Sequence, residues 1–381
     1  MSLQVPLMIV HGGAWSIPNE MEQDHIRGTY KAIAQVYPEL LSGEIDAEEA
    51  VVRAISILEN DETFDAGKGS FLNLKGQVEM DASIMNGTTM KCGAVCAIQN
   101  VRNPIRIAQR VMNQTEHVLL VGENALEFAK STCKSEEEHK ELFVESVEEL
   151  LTTRELEFLE SIRNNEEFTS RTVFESKIDS HPPPSKKGTV GCVALDLNGN
   201  ICAGTSTGGT PKKCKFSRNS IKKFNKLKVP GRSGDTGIVG SGTYADSSVG
   251  GASSTGWGES IMKIQMTGTV VKWLEFHNTP TLPKTASIYS HLNFESSSNI
   301  QHDAAQKTNM NKEQVAIETI IEYLDQKVNG LGGLIFLSKE GKYAVSHNTD
   351  KMSFAFVPHD TINKETGHFE VVSIVSRKKG C

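Results

Sequence analysis

The chain has 381 residues, of which 38% are hydrophobic and 23% are charged. This composition supplies enough apolar side chains for a buried core and excludes a wholly disordered protein. Forty Lys and Arg residues oppose 47 Asp and Glu residues, giving a formal charge of −7. A nucleic-acid partner is not expected, because proteins that bind nucleic acids usually have a basic domain. No stretch approaches the roughly 20 apolar residues that cross a bilayer, so no membrane partner is expected either.

The N-terminal part has the periodicities of strands and helices. The apolar run at 7–10 predicts a short buried strand that ends in a loop at 11–14. The spacing at 45–58 predicts a helix with one apolar stripe, and Asp46 with Glu49 three residues later forms a capping box at its start. The further predicted elements are a helix at 23–42, a period-two strand at 78–84, strands at 93–98 and 118–121, and a helix that begins at Asn103-Pro104.

Residues 131–187 differ in character from what precedes them. They are rich in glutamate and end in three consecutive prolines followed by Ser-Lys-Lys. We interpret this stretch as an acidic, proline-rich linker, parts of it helical. Directly after it, an apolar run at 190–195 and a second at 201–205 flank Asn198-Gly199, which predicts a β-hairpin.

Two polar stretches in the second half are interpreted as insertions. Residues 212–228 hold eight basic side chains, and residues 279–312 are rich in Ser, Thr and Asn. A solvated loop is the favoured interpretation of the basic stretch, and contact with the Glu-rich stretch at 136–149 is the alternative. Strands grouped with helices between them predict an α+β layered fold. The other predicted elements are a glycine-rich region at 231–258, a helix at 312–327 and strands near 333–338, 342–347 and 353–357.

Four segments that are rich in glycine, hydroxyl groups or charge occur within about seventy residues. Turn chemistry explains each of them singly. Together they are more informative, because all four lie at predicted strand ends, where functional sites are usually built. The segments are 188–189, 205–209, 230–235 and 253–259.

These segments belong to a larger set that resembles the plant-type asparaginase and isoaspartyl peptidase family. The members of this family are threonine amidohydrolases of the N-terminal nucleophile (Ntn) superfamily. The matching stretches follow the family's order along nearly the whole chain, and together they are far more specific than a single glycine motif. They are 10–14, 64–70, 80–87, 188–191, 205–209, 231–235, 242–246, 255–259 and 330–334.

The resemblance implies a four-layer αββα sandwich that is made as one precursor and cleaves itself. The cut would fall between Gly188 and Thr189, giving an alpha chain of residues 1–188 and a beta chain of residues 189–381. A threonine hydroxyl is a weak nucleophile that needs a base. The freed α-amino group has an ordinary pKa of about 7.7–8.0, near the working pH, where general-base catalysis is most effective. Cleavage therefore creates the base on the residue that carries the nucleophile.

The resemblance also assigns roles in catalysis and binding. Thr207 would hydrogen-bond beside the Thr189 nucleophile, and the Thr255 hydroxyl with the Gly256 N–H would form the oxyanion hole. Arg232 would bind the substrate α-carboxylate and Asp235 the α-ammonium. The full substrate-binding set implied is Arg232, Ser233, Gly234, Asp235, Thr255, Gly256, Trp257 and Gly258.

No cofactor is expected for catalysis. The resemblance implies a structural sodium ion held by backbone carbonyls of one loop, and a homodimer of cleaved protomers. The carbonyls are those of Leu58, Glu59, Asp61, Phe64, Ala66 and Lys68. The seven cysteines are odd in number and irregularly spaced without a CxxC pair, so neither a disulfide framework nor a zinc site is expected. With no signal-peptide pattern at the N-terminus, this favours the cytoplasm.

Two residues depart from the pattern of the family. Asp65 stands where the family usually has Asn, and Lys187 stands where relatives often have His. We expect Asp65 to lie close to the nucleophile, where its carboxylate would either raise the pKa of the Thr189 amine or repel an anionic substrate.

The predicted function is hydrolysis of L-asparagine to aspartate and ammonia, and of β-aspartyl dipeptides, through an ester on Thr189. Three alternatives stay open: a glycosylasparaginase, a taspase-like threonine endopeptidase that acts after Asp, and a non-catalytic protein with the same fold. The Arg232–Asp235 pair favours an amino-acid-like substrate over a protein substrate.

Overall fold

The computed structural model describes residues 4–164, 174, 188–210, 228–278, 311–363 and 366–378. The proline run and, apart from their last residues, the two predicted insertions lie outside these ranges. The strands are β1 (Leu7–Trp15), β2 (Met80–Asn86), β3 (Cys92–Ile98), β4 (Leu119–Val121), β5 (Val190–Leu195), β6 (Ile201–Thr207), β7 (Thr243–Asp246), β8 (Gly250–Gly256), β9 (Gly332–Ser338), β10 (Tyr343–His347), β11 (Lys351–Phe356) and β12 (Val372–Arg377). The helices are α1 (Glu22–Ser42), α2 (Ala47–Glu59), α3 (Pro104–Gln114), α4 (Gly122–Ser131), α5 (Glu136–Leu142), α6 (Thr153–Asn164), α7 (Gly258–Ile264), α8 (Met266–Asn278) and α9 (Lys312–Val328).

The strands form two sheets. The first sheet has eight strands in the order β12-β11-β1-β5-β6-β2-β3-β4, and the second has four in the order β10-β9-β8-β7. Helices α1, α2 and α3 contact the first sheet, while α8 and α9 contact the second. The fold is therefore mixed α/β. Among the described helices, none is long and apolar enough to span a membrane.

Apolar packing explains why these elements come together. One cluster joins the first sheet to helices such as α2, whose Val51, Ile55 and Leu58 are fully buried. A second cluster joins the four-stranded sheet to α8 and α9, and a third contains side chains of both sheets, such as Ile9 and Ile335. Burying such side chains stabilises the fold by roughly 1.5–3 kcal/mol each.

Helix α2 forms as its sequence predicts. The Asp46 side chain accepts the Glu49 N–H at 2.9 Å, which satisfies one of the free donors at the start of the helix. The predicted hairpin is also present, with β5 and β6 antiparallel and Leu195 opposite Ile201. This hairpin places Thr189 immediately before β5 and Thr207 at the end of β6, in the middle of the larger sheet.

One local prediction is wrong, and two strands were not predicted. Strand β1 does not end before the glycine loop but runs through it to Trp15, with a shift in register between His11 and Ala14. The glycine-rich region at 231–258, for which no strand was predicted, contains the two strands β7 and β8. Close packing explains why β8 was missed, because a Cβ on Gly251 would lie 2.8 Å from Val193 of the other sheet. A strand built from such small residues lacks the bulky side chains that mark strands in a sequence.

The predicted linker at 131–187 is folded in its first part. It contains helices α5 and α6, and Leu142, Phe143 and Leu150 are buried in the first apolar cluster. This part packs against the core and is not a linker because these three apolar side chains are buried, while most of its described acidic side chains face solvent, as in an amphipathic segment. Strand β12 was also missed by the sequence analysis.

Candidate active site

Two threonine side chains meet where β5 and β6 pair. Val190 lies opposite Ser206 in the antiparallel register, which brings the preceding Thr189 next to the following Thr207. The Thr189 hydroxyl donates a hydrogen bond to the Thr207 hydroxyl at 3.0 Å. Thr207 in turn donates to a carboxylate oxygen of Asp65 at 3.4 Å. We call Thr189, Thr207 and Asp65 the nucleophile cluster.

Asp65 lies in the loop after α2 and is only 1% exposed. Its backbone N–H donates to the carbonyl oxygen of Gly188 at 3.2 Å, and its own carbonyl accepts the Gly208 N–H at 2.8 Å. Its second carboxylate oxygen accepts the Phe71 N–H at 3.2 Å. This residue therefore contacts both the predicted cleavage site and the loop that follows Thr207.

The predicted cleavage site is in tight contact with β1. A Cβ on Gly188 would lie 2.4 Å from the Gly13 Cα, and a Cβ on Gly13, whose φ is +108°, would lie 2.4 Å from the Gly188 Cα. Neither position accepts a side chain without a shift of the backbone. The two glycines allow β1 to approach the Gly188–Thr189 peptide bond directly.

A small cavity adjoins Thr189. Its lining includes Thr255, Gly256 and Asp65, and its aromatic wall is formed by Trp15, Phe71 and Phe174. The Thr255 hydroxyl oxygen accepts the Ala14 N–H at 3.2 Å, which leaves the hydroxyl proton to be directed elsewhere. The cavity measures about 10 Å³, enough for about one water molecule.

Opposite charges form a second group next to Gly256. Nε and Nη2 of Arg232 donate to the two carboxylate oxygens of Glu259 at 3.2 and 3.0 Å. Asp235 accepts the Ser254 hydroxyl at 3.0 Å, and burial raises the pKa of its carboxyl to about 6. A Cβ on Gly258 would lie 2.6 Å from an Asp235 oxygen. We call Arg232, Asp235, Gly258 and Glu259 the clamp.

Two residues of the predicted substrate-binding set, Ser233 and Gly234, donate hydrogen bonds to Asp81, outside the clamp. The Ser233 hydroxyl donates to Asp81 at 2.9 Å, and the Gly234 N–H donates to the same carboxylate at 3.1 Å. Asp81 lies on β2, is fully buried and also accepts the Ala97 N–H at 2.8 Å. These two residues therefore fix the loop of the clamp. Trp257 packs in an apolar cluster with Phe71 and Leu331.

A family model described as Asparaginase matches residues 4–291. The chain belongs to the asparaginase family. A protein of Xenopus laevis named isoaspartyl peptidase/L-asparaginase is 33% identical over 367 residues, 96% of each chain. A protein of Danio rerio with the same name is 33% identical over 351 residues, 92% of each chain. The plant-type L-asparaginase of Pyrococcus furiosus is 34% identical over 366 residues, 94% of this chain and 99% of the relative. The resemblance drawn from the motifs is confirmed.

This asparaginase-family chain contains a buried lysine that the sequence analysis assigned to the basic insertion. Lys228 is fully buried, and its ammonium group donates to the carbonyls of Glu79 at 2.5 Å and Gly208 at 3.1 Å. Burial lowers the pKa of Lys228, while the nearby carboxylates of Asp81, Glu79 and Asp65 oppose that shift. Among eight basic residues in a polar stretch, no sequence signal marks this one as buried.

His11 belongs to a buried chain of hydroxyl groups in this asparaginase-family chain. Its Nε2 lies 2.9 Å from the Ser253 hydroxyl, which lies 2.7 Å from the Thr205 hydroxyl on the other sheet. Burial lowers the pKa of His11 to about 3. The ring is therefore neutral near pH 7, and its contact with Ser253 joins the two sheets.

The loop predicted to hold sodium closes on itself, since the Lys68 N–H donates to the Glu59 carbonyl at 2.8 Å. The Asp61 carbonyl accepts the Phe64 N–H at 3.2 Å, and the Leu58 carbonyl accepts the N–H groups of Asn60 and Asp61. A carbonyl oxygen has a second lone pair, and oxygen atoms are the donors that hard cations prefer. The Glu59 and Asp61 carbonyls therefore keep acceptor capacity for such an ion. In the part of the chain that the structure describes, no group of three or more His, Cys, Asp or Glu residues is arranged to bind a metal.

Proposed function

We propose that this chain is a self-cleaving threonine amidohydrolase. Its substrates would be L-asparagine, released as aspartate and ammonia, and β-aspartyl dipeptides. The observation that carries the proposal is the 3.0 Å hydrogen bond between the Thr189 and Thr207 hydroxyls, made directly after a glycine that is packed against β1. The relatives named isoaspartyl peptidase/L-asparaginase support the choice of substrates.

Cleavage between Gly188 and Thr189 comes first in this proposal. The Thr189 hydroxyl attacks the Gly188 carbonyl carbon, the peptide C–N bond breaks, and the Thr189 nitrogen leaves as an amine that carries the hydroxyl proton. Water then hydrolyses the resulting ester to leave the chains 1–188 and 189–381. In the continuous chain, the cavity beside Thr189 accommodates a water but not an amino acid, which supports cleavage before turnover. The four-layer αββα arrangement is part of the same proposal, supported by the three apolar clusters.

Turnover then uses the new N-terminus. The α-amino group of Thr189 takes the proton from its own hydroxyl, and the oxygen attacks the substrate β-amide. The Thr255 hydroxyl and the Gly256 N–H stabilise the developing oxyanion, where the loss of one donor typically costs about 10²–10³ in rate. Ammonia or the amine of an amino acid leaves, and water hydrolyses the β-aspartyl ester on Thr189.

The clamp determines which amides are accepted. The guanidinium of Arg232 binds the α-carboxylate and the Asp235 carboxylate binds the α-ammonium. Both groups are present in asparagine and in a β-aspartyl dipeptide, so one clamp serves both substrates. The bidentate contact with Glu259 uses Nε and Nη2 of Arg232, which leaves Nη1 to face a carboxylate.

Three further elements of the proposal concern the molecule as a whole. We propose a structural sodium ion in the loop from Leu58 to Lys68, supported by the family resemblance and by the acceptor capacity left on the Glu59 and Asp61 carbonyls. We propose the cytoplasm as the compartment, supported by the free thiols of the five described cysteines. A homodimer of cleaved protomers rests on the family resemblance, and light scattering would measure it.

One experiment tests the processing and the specificity together. Purified protein is incubated and resolved on a denaturing gel, and the smaller fragments are sequenced from their N-termini. We expect a new chain that begins at Thr189. A chain that begins elsewhere, or an uncleaved chain that hydrolyses asparagine, contradicts the proposal.

The matched substrates are β-aspartyl and α-aspartyl dipeptides of the same composition. Hydrolysis should be confined to the β-linked isomer. Only this isomer has its scissile amide on the side-chain carbonyl, which is where the amide of asparagine lies. Equal hydrolysis of both isomers would contradict the assigned substrate class.

A further inference from the structure

The peptide group between Gly208 and Gly209 contacts the nucleophile cluster on one side and a buried cation on the other. Its N–H donates to the Thr207 hydroxyl oxygen at 3.0 Å. Its carbonyl accepts the Lys228 ammonium at 3.1 Å. A single planar peptide therefore connects Lys228 to Thr207.

The Gly209 N–H determines which way the Thr207 proton points. A hydroxyl has one proton and two acceptor lone pairs. On Thr207 the lone pairs accept the Gly209 N–H and the Thr189 O–H, and the proton is donated to Asp65. Thr207 thus has no proton left for Thr189, and the Thr189 hydroxyl must be the donor in the contact between them. In the continuous chain the direction of the Thr189 O–H bond therefore depends on this peptide. After cleavage, when the Thr189 amine takes that proton, the same peptide keeps Thr207 in place beside the nucleophile oxygen.

A Gly-Gly peptide does not keep its orientation by itself. Glycine has no Cβ and adopts positive φ at little cost, and Gly209 has a φ of +95°. Turned over, the peptide would present its carbonyl to Thr207, which would then donate to that carbonyl instead of Asp65. The Lys228 ammonium opposes this rotation by binding the carbonyl in a charge-assisted hydrogen bond, roughly twice as strong as a neutral one.

The position of Lys228 is strongly fixed by its surroundings. Its ammonium also donates to the Glu79 carbonyl, and its own backbone carbonyl accepts the Leu74 N–H at 2.8 Å. The carboxylates of Asp81, Glu79 and Asp65 attract it. A buried charge needs such compensation, and the compensation here holds the ammonium under the 208–209 peptide.

We propose that Lys228 is a positioning residue for the nucleophile, acting through the Gly208–Gly209 peptide and Thr207. The inference rests on the proposed function and names the residue that sets the geometry of its nucleophile. No proton or bond is exchanged at Lys228. Its effect is on the orientation of Thr189 and not on the substrate, which is held by the clamp.

The test is Lys228→Met, which keeps the length of the side chain and removes the charge. With a β-aspartyl dipeptide as substrate, kcat should fall about 10- to 100-fold, the cost typical of a small misplacement of reacting groups. KM should stay within about twofold. A Lys228→Met protein that keeps the wild-type kcat overturns the inference.

Lys351 provides a matched control for the loss of a buried lysine. Its ammonium donates to the Ile17 carbonyl at 2.6 Å and to the Asn19 side chain at 2.7 Å, and the residue is 9% exposed. Lys351→Met should lower Tm as Lys228→Met does, while leaving kcat unchanged. Equal losses of kcat in the two variants would reduce Lys228 to a structural role and contradict the inference.

A double-mutant cycle shows whether Lys228 acts through Thr207. In a Thr207→Val background, Lys228→Met should change the remaining kcat less than about twofold, because the group it orients is gone. Full additivity would overturn the inference. Lys228→Gln, which retains an N–H donor without the charge, gives the same cycle if the methionine variant does not fold. A wild-type protein that neither cleaves nor hydrolyses substrate would instead contradict the proposed function, and this inference with it.

Discussion

The nucleophile cluster and the clamp lie next to each other, but different interactions hold them in place. The two threonines of the nucleophile cluster lie at the ends of β5 and β6 in the eight-stranded sheet, and the distance between them follows from the register of these strands. The clamp lies on a turn and at the start of α7, after a strand of the other sheet. Its geometry depends on partly buried opposite charges that compensate one another. Backbone pairing therefore places the reacting threonine, with the charge of Lys228 fixing the peptide beside it, whereas recognition of the substrate depends on charge throughout.

Thr189→Ala is expected to have the largest effect. Without the hydroxyl there is no nucleophile for either reaction, so cleavage and turnover should both be lost, on the order of 10⁴–10⁶-fold. A denaturing gel and an ammonia assay would measure this. The variant should stay uncleaved but folded, so its circular dichroism spectrum and Tm should match those of wild-type precursor that has not yet cleaved. A variant that still cleaves would remove Thr189 from the nucleophile cluster.

Arg232→Ala should separate the two regions. The substrate α-carboxylate loses its partner at a cost of about 2–5 kcal/mol, which corresponds to a fall in kcat/KM of about one and a half to three and a half orders of magnitude. Cleavage at Gly188 should proceed, because the chain's own peptide needs no clamp. Cleavage also reports that the variant has folded. Full activity on asparagine in a cleaved variant would show that the clamp is misassigned.

The pH dependence of binding should follow Asp235. Burial raises the pKa of its carboxyl to about 6, so the group is charged above that pH and loses its charge as the pH falls through it. Binding of an α-ammonium should therefore weaken about tenfold per pH unit below about pH 6. Succinamic acid, which is asparagine without its amino group, is the control substrate. The loss of kcat/KM at low pH should be absent with succinamic acid. If the loss is present with this substrate, it arises from a group other than Asp235.

Asp65→Asn should have the smallest effect, confined to the nucleophile cluster. The Thr207 hydroxyl connects the Asp65 carboxylate to the Thr189 hydroxyl. The charge of Asp65 should therefore raise the pKa of the freed Thr189 amine. Without the Asp65 charge, the acid limb of the kcat/KM profile that reports the Thr189 amine should shift to lower pH by about one unit. The loss of kcat/KM assigned to Asp235 should stay at the same pH. An unchanged limb in a fully cleaved enzyme would show that Asp65 has a structural role only.

The elements that the sequence predicted well are those fixed by local signals. Helix α2 begins at its capping residue, and the β5–β6 hairpin turns at Asn198-Gly199. Strand β8 was missed because its residues are small and suit close contact with the other sheet. Asp81 and Lys228 were missed because their burial depends on partners about 150 residues away, such as Ser233 and Glu79. No local pattern contains that information.

Lys228 also has a consequence for how this chain can vary. Gly208 and Lys228 are twenty residues apart in the sequence, and the Lys228 ammonium contacts the Gly208 carbonyl. These two positions are thus held together by the fold itself. Lengthening a loop whose ends already meet costs only about 0.6 kcal/mol per doubling. Residues can be added or lost between these ends during evolution while the threonines keep their register, so this is a position where new surface can be acquired at little cost to the chemistry.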